Sequence, residues 1–178
     1  MPSSSTPASL GAVVPATLQA PSLVADLAAF RKRHAEGGLR EGLRFLNART
    51  SHRYTGVFRF DGEILRSVGM VDKWDTTVES GLDVPLATAY CAHLRQTGEP
   101  LLIEDGARDP RVPWMAGGPI ASYCGALIRD GGGEPWGALC HFDEQPCEAK
   151  NSDMPLIAAA AAAFHESAVA ATLPLSGT

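Results

Sequence analysis

An α+β fold built on an antiparallel sheet is what this 178-residue chain predicts, and three observations carry the expectation. Two pairs of short apolar runs are joined by turn-forming sequences, Asp61-Gly62 in the first pair and Asp130-Gly131-Gly132-Gly133 in the second. Helical periodicity occurs near both ends and once in the middle. Strand–helix–strand repeats are too few for a doubly wound parallel sheet, so the hairpins lead.

The second hairpin, residues 122–142, is the organising stretch. Side chains alternate across a strand. Tyr123, Gly125 and Leu127 therefore share one face, and Cys124, Ala126 and Ile128 the other. In the partner strand Ala138, Cys140 and Phe142 separate from Leu139 and His141. Neither face is polar throughout, which predicts a sheet covered on both sides.

In chain order, residues 1–21 contain no charge, are rich in Ser, Pro, Ala and Thr, and are expected to be a disordered tail. From Ser22, Leu23, Leu27, Phe30 and His34 form one helical stripe. Gly37-Gly38 breaks or kinks it, and Leu39, Leu43 and Leu46 continue it to about Ala48. Tyr54 to Phe60 is a strand with Tyr54, Gly56, Phe58 and Phe60 on one face, and Ile64 to Val71 returns beside it. Residues 74–85 are a connection with a short strand expected near Val78. Leu86 to Gln96 is expected to be a single short helix stopped by Gly98. Leu101 to Ile103 is a buried strand, and Asp105 to Pro119 a long loop with prolines and glycines. After the second hairpin, Ser152 is a candidate N-cap with Asp153 complementing the helix dipole. The alanine-rich segment from Leu156 to about Thr172 is the last helix, with Leu156, Ala160 and Phe164 on one stripe, and residues 174–178 are a tail.

Composition narrows the function classes. The net charge is −5, with no Lys/Arg cluster, which argues against a nucleic-acid partner. No apolar run approaches the ~18 residues of a membrane span, and the N-terminus lacks the basic start of a signal peptide, so a cytoplasmic protein is expected. The four cysteines, Cys91, Cys124, Cys140 and Cys147, show no C-x-x-C and no zinc-ligand spacing. There is no Ser-His-Asp order and no phosphate loop.

Two segments resemble a GAF domain. TAYCAHLRQTGEPLLIEDGARDPRV resembles the family's middle segment, where a helix runs through Gly-Glu-Pro into a buried strand and an Asp-Pro-Arg. SYCGALIRDGGGEPWGALCHFDEQP resembles the strand pair that follows. The likeness covers residues 22–173. It implies a PAS-related antiparallel sheet of about six strands, with the terminal helices on one face and a pocket on the other, under the middle helix and long loop. It also implies dimerisation through the terminal helices.

In the family's free methionine sulfoxide reductases, pocket residues lie at positions matching Tyr54, Phe58, Tyr123, Cys140 and Phe142. Those enzymes carry acidic groups at the last three, where this chain has an aromatic, a thiol and an aromatic. Trp74 and Trp114 on flanking loops, together with Cys91, complete the candidate ligand-binding set. Three functions follow as expectations. The first is a sensory or regulatory module that binds a small molecule whose identity the residues leave open, with output through a dimer or a signalling partner. The second is a thiol redox enzyme or sensor using Cys91, whose resolving thiol must come from outside the long loop because that loop has no cysteine. The third is a bilin carrier, for which Cys91-Ala92-His93 is a loose echo. No cofactor is assigned.

Overall fold

The computed structural model describes residues 21–172. The tails expected at 1–21, apart from Pro21, and at 174–178 lie outside the described residues. The helix α1 (Pro21–Asn47) leads into the hairpin β1 (Tyr54–Asp61) and β2 (Ile64–Asp72). The two-residue strand β3 (Val84–Pro85), the helix α2 (Cys91–Thr97) and the strand β4 (Leu101–Ile103) follow. The hairpin β5 (Ser122–Arg129) and β6 (Pro135–Asp143) and the helix α3 (Asp153–Thr172) complete the order. The six strands form one sheet in the order β3-β2-β1-β6-β5-β4, and every pair is antiparallel. This is the expected α+β architecture.

The sheet divides the apolar interior in two. On one face, Val57, Val71, Cys124, Ala126 and Leu139 pack against Phe30 and Leu46 of α1 and against Leu156, Ala160 and Ala161 of α3. On the other, Phe58, Tyr123, Ala138 and Cys140 pack with Tyr90, Cys91 and Leu94 from the α2 region and with Met115 from the long loop. Because the period of a strand is two, the same alternation that placed these residues on paper sends them into different cores.

Gly38 interrupts α1 with φ 75° and ψ −170°, a left-handed conformation that only glycine adopts at little cost. The break lets the second half of the helix lie on β2, where the Leu39 side chain comes so close that a Cβ at Gly69 would sit 2.9 Å from it.

Two local expectations are corrected. The short strand lies at Val84–Pro85, paired with Ile64 and Leu65, and not near Val78. Asp75 is the cause: its Oδ1 accepts from the Thr77 amide and hydroxyl, and its carbonyl accepts from the Val78 amide, which curls the chain into a turn. The single helix over 86–96 is two pieces, a 3₁₀ turn at Leu86–Thr88 and then α2, separated by extended Ala89 (φ −118°, ψ 144°). The extension carries Tyr90 inward, where its hydroxyl donates to the Ile120 carbonyl at 3.1 Å. In the β5–β6 turn only Gly133, of the three glycines, has a positive φ. The Asp130 carboxylate closes that turn by accepting from the Gly132 and Glu134 amides.

Candidate functional site

Three cross-strand rows make the floor of a cavity on the face away from α1 and α3. Tyr123, Phe142 and Tyr54 are directly opposed across β5, β6 and β1; the next row is Gly125, Cys140 and Gly56, and the next Leu127, Ala138 and Phe58. The middle row matters most. A Cβ at Gly125 would lie 2.3 Å from the Tyr123 hydroxyl, and one at Gly56 would lie 2.8 Å from the Phe58 ring. Both rings therefore fold along their own strands toward Cys140, over positions that carry no side chain. Phe142 stacks on Tyr54 with centroids 5.1 Å apart, and Tyr90 stacks on Tyr123 at 5.1 Å.

The cavity encloses about 360 Å³. Its walls come from Leu65 and Met70 of β2, from Gly81, Leu82 and Val84, from Thr88 to Cys91, and from Met115, Pro119 and Ile120 of the long loop. Glu144 is the charged residue of the lining; Lys, Arg and His are missing from it. The Glu144 carboxylate accepts from the Tyr54 hydroxyl at 3.2 Å.

Of the eight candidate residues, Tyr54, Phe58, Cys91, Tyr123, Cys140 and Phe142 are brought together around this space. Trp74 and Trp114 are not; Trp74 is largely and Trp114 about half exposed. Trp74 is held outside because the Arg53 guanidinium, paired in a two-pronged bridge with Asp72, lies 4.3 Å from the Trp74 ring and 4.7 Å from Tyr54. In the Pro113–Met115 turn it is Met115 that points inward. Tyr90, Met70, Met115 and Glu144 were missed by sequence reasoning. For Glu144 a signal existed, since alternation places it on the face of Phe142 and Cys140. For Tyr90 there was none, because its inward swing depends on the break at Ala89.

Cys91, Tyr123 and Cys140 form a hydrogen-bonded cluster at the inner end of the cavity. Cys91 Sγ lies 3.3 Å from the Tyr123 hydroxyl, and the Cys140 thiol, which donates to the Gly56 carbonyl at 3.8 Å, interacts with both. Burial pushes Tyr123 and Cys140 well above their ordinary values. Cys91 is held below the ordinary thiol value, first by the hydrogen bond from Cys140 and also by that from Tyr123. Cys124, on the opposite face, is pushed up first by burial and then by the charge of Asp153.

The other face carries a buried polar chain. Asn47 Nδ2 donates to Thr55 Oγ1 at 2.9 Å, Thr55 Oγ1 pairs with His141 Nδ1 at 2.7 Å, and His141 stacks on His52 at 6.0 Å. A second hollow of about 400 Å³ beside it is lined by Arg44, Asn47, Asp72 and Lys73. Its charged groups are already engaged: Arg44 with Glu41, Asp72 with Arg53, and Lys73 with the Thr50 carbonyl. Among the described residues, no group of three or more His, Cys, Asp or Glu is placed to hold a metal ion, and no helix is long and apolar enough to cross a membrane.

The family model for the GAF domain matches residues 36–166. The chain belongs to the GAF domain family. That family is one of sensory and ligand-binding modules, and the matched span holds both hairpins, α2 and the cavity. Among solved structures, the GAF domain of an Acinetobacter phosphoenolpyruvate-protein phosphotransferase superposes with a TM-score of 0.66 at 11% identity, over 85% of this chain and 96% of that one. A free methionine-R-sulfoxide reductase from Neisseria meningitidis, solved with its substrate, gives 0.65 at 12% identity over 86% and 95%. The chromophore-binding domain of Stigmatella aurantiaca phytochrome P1 gives 0.62 at 12% identity over 97% and 64%. At such identities the likeness is one of fold. No curated protein sequence matches.

Proposed function

We propose that this GAF domain is a sensory or regulatory module that binds a small, uncharged, largely apolar molecule among Tyr54, Phe58, Tyr123, Cys140 and Phe142. The observation that carries this reading is the lining itself: aromatic and aliphatic side chains around about 360 Å³, with Glu144 as its charged group and no cation. That volume falls within the ordinary range for small-ligand sites, of roughly 300–1,000 Å³. An anionic ligand such as a cyclic nucleotide or a bilin with its propionates would bury charge here without a partner, which costs several kcal/mol. The zwitterion of an amino acid fares little better, since β5 and β6 offer Tyr123, Cys140 and Phe142 where an ammonium needs carboxylates. Output is assigned to a homodimer through α1 and α3 or to a signalling partner, in the cytoplasm, where thiols stay reduced.

Native mass spectrometry of the purified protein, followed by a denatured run of the same sample, tests the reading. A mass excess that disappears on denaturation is expected, and the released molecule should be neutral and apolar. A released anion, or a protein that stays unliganded against a panel of neutral aromatic compounds, overturns it. A second reading, thiol redox chemistry at Cys91, is favoured by one observation, the hydrogen-bonded contact of Cys91 with Tyr123 in a cavity that Cys140 also lines.

A further inference from the structure

Cys91 and Cys140 are 49 positions apart in sequence, and nothing in their spacing relates them. The fold places one at the start of α2 and the other in the middle of β6, both lining the same cavity, with the Tyr123 hydroxyl 3.3 Å from Cys91 Sγ and folded over Gly125, the cross-strand neighbour of Cys140. The geometry points to a dithiol site in which Cys91 reacts with an organic hydroperoxide admitted by the apolar cavity and Cys140 resolves the product to an intramolecular disulfide.

The chemistry balances with that one co-reactant. The Cys91 sulfur attacks the terminal oxygen of the hydroperoxide; an S–O bond forms, the O–O bond breaks, and an alkoxide leaves. Tyr123 donates its proton to the alkoxide, giving the alcohol, and takes up the proton that Cys91 gives up. The Cys140 sulfur then attacks the sulfenic sulfur; an S–S bond forms, the S–O bond breaks, and hydroxide leaves with the Cys140 proton as water. Two thiols and one hydroperoxide become one disulfide, one alcohol and one water.

Three features fit Cys91 as the attacking sulfur and Cys140 as the resolving one. Cys91 is the member whose thiolate is favoured, by hydrogen bonds from the other two. Tyr123 is held in its protonated form by burial and so keeps a proton to donate. Cys124 lies on the other face of the sheet, and Cys147 lies after β6 outside the cavity lining, so neither competes for the sulfenic sulfur. The site shares its cavity with the proposed ligand. Unreactive thiols leave the binding reading standing, and a protein without a bound ligand leaves the thiol chemistry standing.

The test treats the reduced full-length protein with cumene hydroperoxide and then alkylates it under denaturing conditions. The expected result is a fall from four alkylatable cysteines to two, the mass of two hydrogens lost, and a cross-linked peptide joining Cys91 to Cys140. Cys140→Ser should stop at a Cys91 sulfenic acid that dimedone traps, Cys91→Ser should leave Cys140 reduced, and a Cys124→Ser/Cys147→Ser variant should react as the parent does. Four thiols still alkylatable after treatment overturn the proposal, as does a disulfide to Cys124, to Cys147 or between two chains. Peptide mapping of the unmodified chain decides the matter even if a variant misfolds.

Discussion

Tyr123 reaches Cys91 because position 125 has no side chain. Replacing that hydrogen with a methyl group, Gly125→Ala, forces the phenol off its place over the strand, and the neighbours cannot yield freely because Cys140 lies beside Gly125 in the next strand. The expected cost is about 1–3 kcal/mol, the usual penalty for overpacking a tight core. Urea denaturation checks it, and a variant as stable as the parent rules out the close packing. The same substitution should change the rate at which Cys91 reacts with a maleimide, because it removes a hydrogen-bond donor to that sulfur. At this scale the sequence revealed much of the site. Period-two alternation placed Tyr54, Phe58, Tyr123, Cys140 and Phe142 on the right strand faces, because each lies in a regular strand. Trp74 and Trp114 lie on connections without a period, and there composition says nothing about direction.

Each regular element follows from its own residues, while the exceptions follow from neighbours. The hairpins needed only turn residues and alternation. The break in the segment before α2 left no local mark, since Ala89 and Tyr90 are acceptable in a helix; what favours the break is the Tyr90 hydroxyl reaching Ile120 and its ring stacking on Tyr123. α3 behaves differently. Its alanines at 160 and 161 are buried against the sheet, so the helix lies close to β5 and β6. Ala160→Leu adds three carbons where there is no space and should lower stability by about 1–3 kcal/mol in thermal or urea unfolding. A neutral or stabilising result means that α3 stands farther from the sheet than described.

For the molecule as a whole, the buried histidine pair sets a pH dependence. Burial, then the neighbouring His52 and Lys73, holds His141 down at about 3, and burial lowers His52 against the raising influence of Asp153 and Asp143. His52 Nε2 is buried without a hydrogen-bond partner, which adds to the cost of the arrangement. In the unfolded chain both rings titrate near 6.5. Above that pH neither state takes up a proton, and the contribution of the pair is fully present. As pH falls from about 6.5 toward about 3, the unfolded state binds protons that the native state refuses, so stability is progressively lost. Urea midpoints measured from about pH 8 down to about pH 5 should therefore decline, and His141→Asn should flatten the decline. An identical slope in the variant assigns the loss to other groups.

The strands other than β3, both hairpins, the two faces of the sheet and the likeness to the GAF family were present in the sequence by itself, because each rests on contacts between near neighbours or on a repeating period. The tertiary structure decided the rest. It brought Cys91 to Cys140, swung Tyr90 inward, drew Trp74 out onto Arg53 and placed Glu144 at the cavity. Those outcomes depend on which distant segments share one small volume, and pairings over such separations are fixed by packing and by satisfying buried polar groups, which no local pattern records.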